Sequence, residues 1–273
     1  MKNWKIRPLL CGIIHMPKGS MEGGLEPDRI LPFPYTAYLL QNGEENVLVD
    51  TGIHADHIVD GKAWRGCSAE GGADYLLKAL ADNGVTPEDI GTVLYTHLHN
   101  DHAGNMYLFP NANHIYQKDE FTNLCNPLPF QIKGGDYDTR TPGDIAQLKH
   151  KTVIDGDLVM SNGLELYKTP GHSLGSMCIV VPTEKGRYVL TGDMPHVYQS
   201  LFPKADKWEL MGGEVIDVKP SDDDQEFLFN SVIYDQYSAY DSFSKLKLLA
   251  EKFEPEYFLT GHDMWVHNRK VFG

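Results

Sequence analysis

The sequence predicts an α/β domain built in layers, and three observations predict it. Short apolar runs, each ending in a polar or glycine-bearing corner, recur at 36–40, 46–50, 92–96, 114–117, 164–169, 176–181, 188–191 and 257–260, and these read as strands. Two intervening segments, 73–83 and 237–253, carry a helical period instead. A chain of 273 residues, 41% hydrophobic and 23% charged, also has enough apolar side chains for one large core. No internal repeat and no linker rich in Pro, Gly or Ser divides it, so residues 1–273 read as a single domain.

Taken in order, the apolar stretch from Pro8 to Ile14 is too short to span a membrane and has no small-residue cleavage site after it, so it reads as a first strand. The segment 16–34, with Gly19, Gly23, Gly24 and prolines at 17, 27, 32 and 34, reads as a long loop. So does 123–143, with Gly134, Gly135 and prolines at 127, 129 and 142. Long loops in a compact domain are candidate pocket walls. Phe33 and Tyr35 suit either such a wall or a core strand. In 73–83, Leu76, Leu77 and Leu80 share a face and Gly84 offers the stop; in 237–253, Tyr240, Phe243, Leu246, Leu249, Ala250 and Phe253 form a stripe ahead of Pro255.

Charge and thiols narrow the partners. With 24 Lys+Arg against 38 Asp+Glu the net charge is −14, a field that repels phosphate backbones and anionic lipid, so neither nucleic acid nor a membrane is an expected partner. Cys11, Cys67, Cys125 and Cys178 lie far apart with no CxxC pair, as idle thiols of a reducing cytosol would, and a cytoplasmic location is expected.

The histidines carry the chemistry. Of twelve, three fall in the run Thr96-His97-Leu98-His99-Asn100-Asp101-His102, directly after the apolar residues Val93, Leu94 and Tyr95. Two imidazoles one residue apart in extended backbone point the same way, so His97 and His99 can reach one metal ion, while Asp101 and His102, past the strand end, turn toward a neighbouring position. Imidazole and carboxylate together suit zinc or a similar first-row dication, whereas calcium wants oxygens alone. Three further strand ends present ligand-type residues: His172 after 164–169, Asp193 after 188–191 and His262 after 257–260. His54 and His57 follow strand-like segments and are further candidates for the pocket lining.

With those residues in view, the sequence resembles the metallo-β-lactamase superfamily, from Asp50-Thr51-Gly52, which looks like its first strand-turn motif, through HxHxDH at 97–102 to Gly261-His262-Asp263. The resemblance implies a four-layer αββα sandwich with metals at one edge. It implies that His97, His99 and His172 hold one ion, that Asp101, His102 and His262 hold the other, and that Asp193 bridges them. Asp50 would support the ligand loop without binding metal. The cofactors implied are two divalent ions, zinc foremost, with Mn2+, Fe2+ and Co2+ as alternatives. Such a pair lies roughly 3.5–4 Å apart and turns a bridging water into an attacking hydroxide.

Within the superfamily the sequence is similar to the N-acyl homoserine lactonase and pyridoxolactonase-like branch, which carries Thr-Pro-Gly-His-Ser around the third histidine, as at 169–173, and a segment like Cys125–Phe130. This implies a hydrolase that opens a lactone, acyl-homoserine-lactone-like or aromatic, or a related ester. One position departs: the tyrosine that those lactonases place three residues after the bridging aspartate is His196 here, with Tyr198 two residues on. Asp101, His196 and Tyr198 are therefore the expected catalytic residues. Phosphodiester, acyl-ester or thioester hydrolysis on the same fold is the alternative, and a phosphate would want Arg or Lys beside the metals. No basic residue lies within ten positions of the motif; Lys168, Lys185 and Arg187 come near the later ligands. A metal-binding regulator without catalysis would be signalled by a lost ligand, and all seven are present. The oligomeric state stays open, a homodimer included.

Overall fold

A computed structural model of the protein describes residues 3–273. Eight strands form the larger sheet: β1 (Lys5–Pro17), β2 (Ile30–Gln41), β3 (Asn46–Val49), β4 (Lys62–Ala63), β5 (Cys67–Gly71), β6 (Thr92–Leu94), β7 (Asn113–Gln117) and β8 (His150–Ile154), in the spatial order β4-β5-β1-β2-β3-β6-β7-β8. β1 and β2 pair as one long antiparallel hairpin, while β3, β6, β7 and β8 run parallel. The second sheet holds β9 (Leu158–Val159), β10 (Glu165–Lys168), β11 (Met177–Thr183), β12 (Gly186–Gly192) and, after a separate hairpin of β13 (Lys207–Glu209) and β14 (Val215–Asp217), β15 (Phe258–Thr260), in the order β15-β12-β11-β10-β9. The helices are α1 (Ala73–Ala81), α2 (Asn100–Ala103), α3 (Lys118–Cys125), α4 (Pro129–Gly134), α5 (Thr141–Gln147) and α6 (Gln236–Leu249).

Strand periodicity sorts the core into two compartments. In β3, Val47 and Val49 join the cluster that contacts the second sheet, whereas Leu48 between them joins the cluster that holds Leu76 and Leu80 of α1, Leu124 of α3 and Ile145 of α5. Tyr38 and Leu40 of β2 alternate with Ala37 and Leu39 in the same way. Met177–Val181 of β11 is buried at every position, as a central strand covered on both faces must be, with Phe243, Leu246 and Leu249 of α6 in the same cluster. The result is the four-layer α/β sandwich, helices outside and two sheets within. No helix among the described residues is long and apolar enough to cross a membrane.

The two expected loops are shorter than the sequence suggested. β1 runs on to Pro17 and β2 starts at Ile30, so only residues 18–29 separate the hairpin strands. Pro32 and Pro34 are tolerated because β3 pairs with β2 only from Tyr38 onward, leaving that edge without a partner strand for an N–H to serve. Most of 123–143 is helical: Pro129 and Pro142 sit in the first turns of α4 and α5, where proline starts a helix as readily as it ends one.

Candidate metal centre

All seven expected ligands lie buried at one edge of the sandwich. Two residues, Tyr95 and Thr96, separate the end of β6 from the first of them, and the chain then runs through His97-Leu98-His99 into α2, which carries Asp101 and His102. His172 follows β10, Asp193 follows β12 and His262 follows β15. Ligand-capable atoms gather in two clusters within 4.8 Å, one of His97, His99 and His172, the other of Asp101, His102, Asp193 and His262. Asp193 reaches toward both: its Oδ1 is 3.1 Å from His102 Nε2, and its Oδ2 is 3.2 Å from His262 Nε2 and 3.6 Å from His172 Nε2. Gly261 makes room for this, since a Cβ there would stand 2.4 Å from Asp193 Oδ1.

Outer contacts fix which nitrogen each imidazole offers. Asp50 accepts from the Thr96 N–H (2.8 Å) and the Thr96 hydroxyl (2.7 Å), and lies 2.8 Å from His102 Nδ1, which donates to it. His172 Nδ1 donates to the Val232 carbonyl and His262 Nδ1 to the Pro34 carbonyl, each at 2.8 Å. With those protons placed, the neutral rings of His102, His172 and His262 present Nε2 as an acceptor toward carboxylate oxygens or, for His172, toward His99 Nδ1 3.0 Å away. Against the pull of burial, the Asp193 and Asp101 charges raise the His102 and His262 imidazoles above their ordinary range, the mark of a site that attracts positive charge at those two nitrogens. His97 Nε2, His102 Nε2 and Asp193 Oδ1 are buried with no hydrogen-bond partner. Neutral imidazoles and carboxylates face one another there as acceptors, an arrangement relieved by a cation or, in its absence, by a proton, so the donor set fits two divalent ions. Burial holds His97 and His99 well below the ordinary imidazole range and His172 at about 3, which keeps that cluster neutral, the form that binds metal.

His196 is turned into the centre. Its Nε2 is 3.0 Å from Asp193 Oδ2, its ring packs against His172 and His262, and its Nδ1 is buried without a partner. It also falls within ligand distance of His172 and Asp193. Tyr198 points elsewhere, correcting its expected place in the pocket: its hydroxyl donates to the Lys207 carbonyl at 2.5 Å and its N–H to Asp263 at 2.9 Å. That side chain braces the β13/β14 hairpin. His57 pairs with Asp138 (3.0 Å) and borders a smaller cleft, and His54 Nδ1 caps the turn that follows it; neither lines the metal cavity. Phe33 and Tyr35 are core residues.

A cavity of about 680 Å³, counting its open mouth, has the metal cluster as its floor. Its walls are Ile14 and Met16 of β1, Met21 of the 18–29 loop, Trp64 and Val232, with Arg65 and Asp136 among the polar residues. Arg65, Trp64 and Asp136 were not expected from sequence. Each arrives from a segment far from the motif, and Arg65 is the lining's single Lys or Arg. Lys168 and Arg187 are engaged with Asp119 and Glu165 instead. Asp136 is pushed up to about 6 by burial and the Asp101 charge.

Two sheets back to back, helices outside, and imidazoles and carboxylates delivered from strand ends to one edge define an αββα protein with a dinuclear metal centre. The chain belongs to the metallo-beta-lactamase superfamily, whose family model matches residues 30–262. An N-acyl homoserine lactonase of Bacillus cereus is 30% identical over 189 residues, covering 66% of this chain and 71% of that protein. A solved N-acyl homoserine lactone hydrolase, with the product N-hexanoyl-L-homoserine at its catalytic metal centre, aligns with a TM-score of 0.75 at 24% identity over 98% of this chain and 96% of its own. The dizinc quorum-quenching lactonase AidC aligns at 0.65 and 20% identity, covering 98% and 89%. At those identities the structural likenesses speak for the fold.

Proposed function

We propose that this protein is a lactone hydrolase whose single domain, 1–273, carries a dinuclear active site in the cytoplasm. The observation that carries the reading is the shared position of Asp193, between a three-histidine cluster and an Asp101–His102–His262 cluster, at the floor of an apolar cavity. His97, His99 and His172 would hold one ion, Asp101, His102 and His262 the other, and Asp193 both. Such ions, zinc foremost, supply Lewis acidity and acidify the attacking water.

The chain's own residues do the rest. Ile14, Met16, Met21, Trp64 and Val232 offer an apolar wall for an acyl or aryl group. Asp101 combines ligation with a place in the cavity lining. His196, held beside Asp193, would donate a hydrogen bond to the substrate carbonyl oxygen or to the ring oxygen as the acyl carbon–ring oxygen bond breaks, the part a tyrosine takes in the lactonases the sequence resembles. Tyr198 retains only a bracing part. The hydroxy acid leaves once water's oxygen is joined to the acyl carbon.

Arg65 favours a second reading, hydrolysis of an ester bearing an anionic group, phosphodiesters included, because it places one cation on the cavity lining. A panel of acyl-homoserine lactones, aromatic lactones, thioesters and phosphodiesters, assayed on protein with two ions per chain, tests both. Turnover confined to lactones supports the first; turnover confined to phosphodiesters overturns it.

A further inference from the structure

Beneath the ligand loops lies a buried carboxylate that binds no metal. Glu120, fully buried in the first turn of α3, accepts through Oε1 from the Leu98 N–H (3.0 Å) and the Tyr137 hydroxyl (2.9 Å), and through Oε2 from the Ser173 hydroxyl (2.6 Å) and the Gly175 N–H (3.0 Å). Burying a charge is costly unless donors surround it, and here four do, with the N-terminus of α3 adding its positive end. The partners are telling. Leu98 is the residue between His97 and His99, and Ser173 follows His172. Tyr137 also packs its ring edge-on against His99, with centroids 4.8 Å apart. The approach is close enough to need glycine at 175, where a Cβ would stand 2.2 Å from the Glu120 nitrogen.

We propose that Glu120 is a positioning residue for the three-histidine cluster: by gripping Leu98 and Ser173 with one carboxylate, it sets His97 and His99 at their distance from His172 before a metal arrives. Asp50 reaches both clusters, His102 directly and His97 through the Thr96 hydroxyl, which lies 3.1 Å from His97 Nδ1, whereas every Glu120 contact falls on the three-histidine side. Glu120 is thus a brace for one ion only, and removing it weakens that ion alone. Backbone N–H groups cannot turn away as hydroxyls can. An amide at position 120 would set its own NH2 against either the Leu98 or the Gly175 N–H, which makes Glu120→Gln the informative change.

The inference rests on the two-ion reading and on no particular substrate, so its test uses metal alone. Zinc-loaded full-length protein is titrated with a chromophoric chelator, and the two ions are followed as separate releases. Glu120→Gln is expected to lose one ion about tenfold more easily and the other within about twofold of wild type. In a His172→Ala background, which removes a ligand of the braced cluster, the same change should shift the remaining ion less than about twofold. Equal weakening of both ions, or of neither, overturns the proposal, since a merely structural role predicts the former. Wild-type protein that holds fewer than two ions overturns the dinuclear reading and the proposal with it. If Glu120→Gln does not fold, Ser173→Ala removes one donor only: a smaller but equally selective loss supports the proposal, and unchanged release overturns it.

Discussion

Replacing Asp50 by Asn should detach the metal centre from the large sheet while leaving the fold in place. Asp50 has a left-handed backbone, φ 61°, which Asn adopts nearly as readily, so the substitution adds little strain. Three donors converge on its carboxylate: Thr96 N–H on Oδ1, and Thr96 hydroxyl and His102 Nδ1–H on Oδ2. An amide accepts at one end only. With its NH2 toward Thr96 N–H, it loses a bond to the backbone of the ligand loop. With its NH2 toward His102, it forces that imidazole to carry its proton on Nε2, the atom meant for metal. A hydrogen bond to a charged group is worth about 1.5–3 kcal/mol, so metal affinity should fall by roughly 10- to 100-fold. The melting midpoint should drop by several degrees, at about 2–4 °C per kcal/mol for a chain of this size. Competition with a chromophoric chelator reads the first quantity and calorimetry the second. Affinity within twofold of wild type, with an unmoved midpoint, would refute the role given to Asp50.

Three other outcomes follow from the geometry. His196→Ala should lower kcat on a cleaved lactone by about 100-fold or more, as loss of an oxyanion donor does, with two ions still bound; an unchanged kcat removes that role, and a lost ion makes His196 a ligand. Stripping the ions with chelator should abolish hydrolysis and lower the melting midpoint, because ligand at about 100 times its Kd stabilises by roughly 2.7 kcal/mol, and restoring two equivalents of zinc should return both; activity that survives stripping refutes the metal mechanism. Burial depresses the His267 imidazole to about 4. The unfolded chain takes up a proton below the ordinary 6.5 while the folded one does not, so this part of the stability is complete above that pH and is lost as pH falls toward 4. His267→Gln should flatten the decline in urea midpoint between pH 7 and 5, and an equal decline in the variant rules the histidine out.

The strands that deliver ligands were legible because each is an apolar run that stops where polar chemistry begins, and the interior sheet has no other way to end. Edge elements lack that contrast. β8 is exposed at four of its five positions and carries no inward pattern for a reader to find. α6 stops at Leu249, where the chain turns extended at Ala250, so Phe253 continues the stripe in sequence but not in the helix. The short helices α4 and α5 were hidden by prolines that read as breakers yet sit in first turns. In the centre, ligands announced themselves by residue type and spacing. Glu120 and Arg65 did not, because their meaning lies in contacts with Leu98, Ser173 and the cavity, which span 22 residues or more of chain and leave no local pattern.

The hairpin of β1 and β2 has a consequence for how this protein can change. Its tip, residues 18–29, supplies Met21 to the cavity wall, while its open edge orients His262 through the Pro34 carbonyl. That second contact is made by the main chain, so it is indifferent to which side chain occupies position 34 or any position of the tip. Away from the buried Lys18–Glu22 ion pair, substitutions at the tip can therefore accumulate and reshape what the cavity admits, with the His262 contact beneath it kept. Substrate range and catalytic competence are inherited on the same strand pair yet free to drift apart.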